Sequence, residues 1–154
     1  MKNKAVIGIL ISCFLLMGCG EEKQAKIDAM ASNKFYRRLQ YVNVSEQGRL
    51  GSYQELASIA KSMGDDFAKY FPPKYNDYFD FEINSTEFTI LSKVNISGCP
   101  DSTIWRMKCS VVNRDVRCIT DGENAGIYNI RNLKLKVPAE CEQVFPGFRN
   151  IGKK

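Results

Sequence analysis

The sequence contains no histidine among its 154 residues, and this absence removes several classes of functional site. Histidine general bases, Ser-His-Asp and Cys-His nucleophile systems, and zinc sites with a histidine ligand are all excluded. Asp80 and Glu82 share one face of a predicted strand, as the paired carboxylates of a glycosidase would, but a half-solvated strand shows the same pattern. We therefore expect a protein that is not an enzyme and uses no cofactor.

The chain is also short of apolar runs that are long enough to span a membrane. Its amino-terminal apolar run, residues 5–16, is shorter than the roughly 20 residues that a spanning helix needs. Lys2 and Lys4 precede this run and a small residue, Gly18, follows it, which is the layout of a secretory signal peptide. Three segments are therefore expected: a signal peptide at 1–18, a flexible polar tether at 19–26, and a single domain at 27–154.

Leu16-Met17-Gly18-Cys19 resembles the lipobox of bacterial lipoproteins. The resemblance implies lipid on the Cys19 thiol, cleavage after Gly18 and acylation of the new amino terminus. Several acyl chains, at about 0.8 kcal/mol per buried CH₂, hold a soluble domain on a bilayer. An ordinary signal peptide, or an uncleaved anchor with a chance cysteine, is the alternative. Gly20 stands where an inner-membrane retention aspartate would be, so the family analogy implies attachment to the outer membrane. The side of that membrane on which the domain lies is left open.

Positive charge is modest overall and unevenly distributed. The formal net charge is +5, and Lys2 and Lys4 of the expected signal peptide contribute two of these charges. Residues 99–154 carry 10 basic against 6 acidic side chains. This excess favours an acidic partner or anionic lipid but does not imply nucleic acid. A sheet edged by solvated lysines explains the same excess.

Four cysteines, Cys99, Cys109, Cys118 and Cys141, remain after the amino-terminal two are set aside. An even number in an exported domain indicates two disulfides, and the spacings lack the close pairs of a four-thiolate zinc site. A two-residue turn at Asn113-Arg114 places Cys109 opposite Cys118 at a non-hydrogen-bonded pair, about 4.5 Å apart at Cα. A disulfide spans such a distance. The register favours Cys109–Cys118 and Cys99–Cys141, while the other two pairings stay open.

The residue pattern predicts an α+β fold in which an amphipathic helix and a short helix pack on an antiparallel sheet of four to five strands. The first helix is expected from Lys23 to Glu46, and a Ser52–Glu55 capping box begins the second. The expected apolar face of the first helix is Ile27, Ala31, Phe35, Leu39 and Val42. The expected strands are 78–83, 87–94, 105–112, a partner strand beginning at 115, and 127–137.

The stretch Gln47-Gly48-Arg49-Leu50-Gly51-Ser52-Tyr53-Gln54-Glu55-Leu56 follows the first helix, and an aromatic strand and late cysteines come after it. This order, over roughly residues 27–141, resembles the head of a type IV pilin or a type II secretion pseudopilin. The resemblance implies a helix lying across an antiparallel sheet, disulfides that fix the carboxyl-terminal loops, and a link to an envelope machine. Cys19 and a polar segment stand where pilins carry an apolar helix, so fibre assembly by the family's route is not implied.

These patterns predict a membrane-anchored lipoprotein with a non-catalytic binding or assembly role in the cell envelope, related to the type IV pilus or type II secretion. The alternative is an envelope lipoprotein that binds or inhibits an external target such as a cell-wall hydrolase. The segment Asp121–Asn124 carries oxygen ligands of the kind calcium prefers, but turns are rich in these residues. No metal site is therefore assigned. Trp105, which shares the register of Met107 and Cys109, is expected in the core.

Overall fold

The computed structural model describes the backbone of residues 3–132 and 137–152, and the side chains of 20–131 and 137–152. Its architecture is the predicted α+β one, in which a long helix packs on an antiparallel sheet of five strands. The helices are α1 Asn3–Gln47, α2 Tyr53–Ser62, α3 Asp65–Tyr70 and α4 Ala139–Val144. The strands are β1 Phe79–Ile83, β2 Glu87–Ser92, β3 Thr103–Val112, β4 Asp115–Ile119 and β5 Gly126–Asn129.

The long strand β3 organises the sheet. One of its edges pairs with β2, which in turn pairs with β1. The other edge is shared, since β5 pairs with the first half of β3 and β4 with the second half. The β3–β4 hairpin has the predicted register, with Val112 opposite Asp115 and Cys109 opposite Cys118. Asn113, at the tight turn between these strands, has a φ of 52°.

Both predicted disulfides are present. Cys109 and Cys118 join neighbouring strands with a Cα separation of 4.0 Å. Cys99 and Cys141, whose Cα atoms lie 4.7 Å apart, join the loop before β3 to α4. The second bridge holds the carboxyl-terminal segment against the same face of the sheet as α1.

The core lies between that face and α1. Trp105 is fully buried, as predicted, and its indole N–H donates to the carbonyl oxygen of Cys141 at 3.1 Å. Phe145 meets Trp105 edge to face with ring centroids 4.9 Å apart, a favourable aromatic geometry. Each such ring contributes roughly 1.5–3 kcal/mol through burial. The carboxyl-terminal tail therefore contributes to the same core as the helix.

The predicted apolar face of α1 is wrong at its start. Ile27 is 49% exposed, whereas Gln40, which is not part of the predicted apolar face, is fully buried. Gln40 is buried because its side chain satisfies the backbone of neighbouring loops instead of meeting water: its amide N–H donates to the Ser85 carbonyl at 2.8 Å. Phe35 and Leu39 keep their predicted packing roles. Among the α1 side chains that the structure describes, the buried ones are Ala25, Ala29, Ser32, Asn33, Tyr36, Leu39, Gln40, Asn43 and Val44.

The expectation of a flexible tether at residues 19–26 is also corrected, because these residues belong to α1. Ala25 is only 6% exposed, and Ser97 donates a hydrogen bond to the Glu22 carboxylate at 2.8 Å. These contacts hold the first polar turns on the loop before β3, so the helix continues where the polar composition suggested irregular chain. The expected boundaries at 18 and 27 stay predictions.

The last strand is shorter than the predicted 127–137. β5 ends at Asn129, whose side-chain oxygen accepts from the Arg131 backbone N–H at 3.0 Å. This contact turns the chain into the 3-10 segment Ile130–Asn132. Residues 133–136 lie outside the described residues, and α4, Ala139–Val144, follows in the carboxyl-terminal tail.

The capping predictions are confirmed. The Ser52 hydroxyl accepts from the Glu55 backbone N–H at 3.4 Å, and the Glu55 carboxylate accepts from the Ser52 N–H at 2.7 Å. Gly48, with a φ of 70°, ends α1. A tight turn between α1 and α2 follows, and α2 packs against α1.

Candidate functional site

Cys19, the expected lipid attachment point, lies within the backbone of α1, and its side chain is outside the described residues. Among the helices that the structure describes, none combines the length and apolar character needed to cross a membrane. The disulfide cysteines Cys99, Cys109, Cys118 and Cys141 are buried and brace the carboxyl-terminal half.

The acidic candidates are dispersed. Asp80 and Glu82 lie on the outer face of β1, and Asp80 pairs with Lys93 at 3.5 Å. Asp121 and Glu123 are exposed in the turn before β5. Within the described ranges, no three His, Cys, Asp or Glu side chains come together as metal ligands would. Among the described residues, these acidic positions therefore do not form a metal-binding cluster.

Charged side chains on the outer face of the sheet contact one another. The Glu87 carboxylate lies 3.3 Å from Lys108 Nζ and 4.0 Å from Arg106 Nε. Arg106 also donates to the Thr89 hydroxyl at 3.3 Å and lies over the ring of Tyr128. These three charged side chains therefore already have partners within the sheet.

A groove between α1 and β4 has a different character. It has a volume of about 770 Å³, and its remaining wall is the carboxyl-terminal tail. An adjoining depression of about 290 Å³ extends it along α1. The two depressions share Arg37, Tyr41, Val116 and Cys118, so together they form one surface, which we call the basic groove. Its further lining residues are Lys34, Arg38, Val112, Asp115, Arg117, Gly147, Asn150, Ile151 and Gly152.

The groove owes its shape to the close approach of the tail to β4. Gly152 has a φ of 79°, and a Cβ atom at this position would overlap the carbonyl oxygen of Cys118. Thr120, at the end of β4, donates through its hydroxyl to the Phe148 carbonyl at 2.7 Å. Glycine at 152 and threonine at 120 therefore seat the tail against β4 as one wall of the groove.

Positive charge dominates the groove. Lys34, Arg37 and Arg117 take part in no ion pair with the described side chains. Asp115 is the acidic lining residue, and its carboxylate already accepts from the Val116 backbone N–H at 2.8 Å. The described side chains of the groove thus include more cations than carboxylates, and three of the cations take part in no ion pair.

Arg37 is the most enclosed of these cations. Its side chain is half-buried between α1 and β4, and this burial lowers the pKa of its guanidinium. The pKa is lowered because burial removes part of the water around the charged Arg37 guanidinium. An anion that entered the groove would restore favourable interactions, since opposite charges about 4 Å apart gain about 4 kcal/mol at an effective dielectric constant near 20.

Apolar surface borders the cations. Tyr41 is 60% exposed and Val112 is 43% exposed, and both line the groove. Val116 and Ile151 are half-buried nearby. A ligand that fits this surface carries negative charge together with apolar groups.

The sequence suggested an acidic partner through the basic excess of its second half but did not locate the site. Arg37 and Arg117 are 80 positions apart in the sequence and line the same groove only because α1 packs beside β4. The detectable signal was the group Lys34, Arg37 and Arg38 on one helix.

The chain matches no protein-family model, no curated protein and no solved structure.

Proposed function

We propose that the protein is a lipid-anchored, non-catalytic binding or assembly module of the cell envelope, related to the type IV pilus or type II secretion. The observation that carries the proposal is the lipobox-like sequence Leu16-Met17-Gly18-Cys19 in the amino-terminal part of α1, the helix whose later residues pack on an antiparallel sheet. An acyl group at Cys19 would put this domain at a bilayer surface.

The continuity of α1 gives the anchor a mechanical consequence. Position 19 and the packed residues 25–44 belong to one helix. At 1.5 Å per residue, Cys19 is separated from the end of the helix at Gln47 by about 42 Å along the axis. A lipid at Cys19 would therefore be joined to the domain by helix, which limits the orientations that the domain adopts relative to the bilayer.

A binding role suits the chemistry of the basic groove. Its lining provides guanidinium, ammonium and apolar groups, and its carboxylate, on Asp115, is engaged with Val116. Such groups hold a ligand by charge and contact but do not form a nucleophile–base pair. The proposal therefore assigns the domain to recognition.

The anchor is tested by growing cells with a labelled fatty acid and comparing Cys19→Ala with Cys13→Ala. Cys13 lies within the segment that signal-peptide cleavage would remove, so it is a matched control. We expect wild type and Cys13→Ala to carry label and Cys19→Ala to carry none and to keep its precursor size. Label on Cys19→Ala would refute the anchor.

The envelope role is tested by crosslinking in intact cells and identifying the proteins that co-purify. Recovery of pilus or secretion components is expected. Recovery of a soluble foreign enzyme as the sole partner would contradict the assembly role and favour the inhibitor alternative.

A further inference from the structure

We propose that the basic groove binds an acidic, partly apolar peptide segment of a partner protein, an inference that rests on the proposed binding role and names the partner's chemistry. The carboxylates of the segment pair with Arg37 and Arg117, and its apolar side chains pack on Tyr41 and Val112.

The first support is charge complementarity. Four basic side chains line the groove, and one of them, Arg38, is already placed over the rings of Phe35 and Phe67 at 5.9 and 5.4 Å. The other three have no ion pair among the described side chains, in contrast to the paired charges on the outer sheet face. Carboxylates suit this site because guanidinium groups bind them through two parallel hydrogen bonds.

The second support is the composition of the rim. Tyr41 and Val112, which line the groove together with the cations, expose 60% and 43% of their surfaces. Tyrosine and arginine are enriched in protein interfaces, where an aromatic or apolar anchor commonly lies beside a charge pair. A free phosphate or a carboxylic acid metabolite would leave this apolar border unused.

The concave shape favours a peptide over a bilayer. Arg37 is half-buried between α1 and β4, and the tail closes one side of the groove. A flat membrane surface contacts protruding lysines and arginines but does not descend into a groove. A chain segment enters because it is narrow and presents side chains in several directions.

The test uses the full chain purified from membranes in a nonionic detergent and measures fluorescence anisotropy of a labelled eight-residue peptide of alternating Glu and Leu. A second peptide carries Gln in place of each Glu. We expect the acidic peptide to bind at least tenfold more tightly than the neutral one, and its affinity to fall as salt is raised from 50 to 500 mM because screening weakens charge pairs.

Two variants locate the binding. Arg37→Gln and Arg117→Gln are each expected to weaken binding of the acidic peptide about tenfold, the loss that follows removal of a charged hydrogen-bonding partner. The matched control is Arg131→Gln, since Arg131 pairs with Asp101 at 2.9 Å and does not line the groove. Circular dichroism and thermal melting verify that each variant is folded, and a lysine at either groove position should restore part of the affinity.

Three results would overturn the proposal: equal binding of the two peptides, binding unaffected by both groove variants, or displacement by lipid. The last is measured by adding mixed micelles of phosphatidylglycerol, with phosphatidylcholine as control. Specific competition by phosphatidylglycerol that disappears in Arg37→Gln would assign the groove to lipid phosphate. The anchor is tested separately by fatty-acid labelling. If Cys19 is labelled but the acidic peptide does not bind, the peptide-binding proposal alone is refuted. If the peptide binds but Cys19 is unlabelled, the lipid anchor alone is refuted.

Discussion

Replacing Gln40 with leucine should destabilise the protein far more than a helix-surface substitution does. Gln40 is fully buried and joins α1 to two loops. Its amide N–H groups donate to the carbonyls of Gly51 at 3.2 Å and Ser85 at 2.8 Å, and its oxygen accepts from the Gly51 N–H at 2.8 Å. Leucine fills a similar volume but makes none of these bonds. At about 1 kcal/mol for each bond, the expected loss in unfolding free energy is about 3 kcal/mol.

The loss is measured by chemical denaturation in detergent, with thermal melting as a second probe. For a chain of this size, a loss of about 3 kcal/mol lowers the melting temperature by roughly 10 °C. Gln54→Leu, an exposed glutamine in α2, is the matched control and should change stability by less than about 0.5 kcal/mol. If the two variants lose the same small amount, the buried hydrogen bonds of Gln40 do not stabilise the junction, and the argument from its burial is refuted.

Three further predictions concern acid, alkali and reduction. The Arg49 guanidinium, with help from Ser52, lowers the pKa of the Glu55 carboxyl from 4.5 to about 2. The ionised Glu55 carboxylate therefore stabilises the fold above pH 4.5, and this stabilisation is lost as the pH falls toward 2. In an acid titration, Glu55→Gln should lose less unfolding free energy over that window than the wild type does. Burial raises the pKa of Tyr36 from 10.0 to about 12, so stability should fall between those pH values as the unfolded chain releases this proton first, and Tyr36→Phe should lack that part of the alkaline decline. Loop-closure entropy predicts that loss of the Cys99–Cys141 bridge, with a sequence separation of 42, costs about 4 kcal/mol of unfolding free energy. Loss of Cys109–Cys118, with a separation of 9, should cost about 3 kcal/mol. Denaturation of the two double serine variants measures both losses, and a larger loss for Cys109–Cys118 would contradict the prediction.

The features that could be predicted from the sequence depend on short-range geometry. The β3–β4 register follows from alternation and a two-residue turn, and it correctly placed Cys109 beside Cys118. The Ser52–Glu55 capping box likewise needs only residues three apart. In both cases the interacting groups are neighbours in the chain, so no knowledge of the remaining fold was required.

The buried face of α1 could not be predicted in this way because hydropathy treats polar side chains as solvent-exposed. Gln40 and Asn43 are buried since loop carbonyls and amides need partners, as in the 2.8 Å bond from Asn43 to the Arg49 carbonyl. These needs arise only when the turn between α1 and α2 folds back on the helix. A search for glutamine and asparagine near a predicted glycine turn would have raised this alternative.

The basic groove could not be predicted from the sequence either, although part of its positive charge could. The excess of basic residues at 99–154 includes Arg117 but not Arg37 or Lys34, which contribute from α1. The local composition of either segment does not show that they line one groove. Their proximity is a property of helix–sheet packing, which is decided by the buried aromatic side chains on the facing surfaces.

The most direct test of the lipid-anchored account is mass spectrometry of the amino-terminal peptide of the protein isolated from its native envelope. We expect this peptide to begin at Cys19, with diacylglycerol on the thiol and an acyl group on the amino terminus. A peptide that begins at Met1, or a Cys19 with a free thiol, would contradict the account.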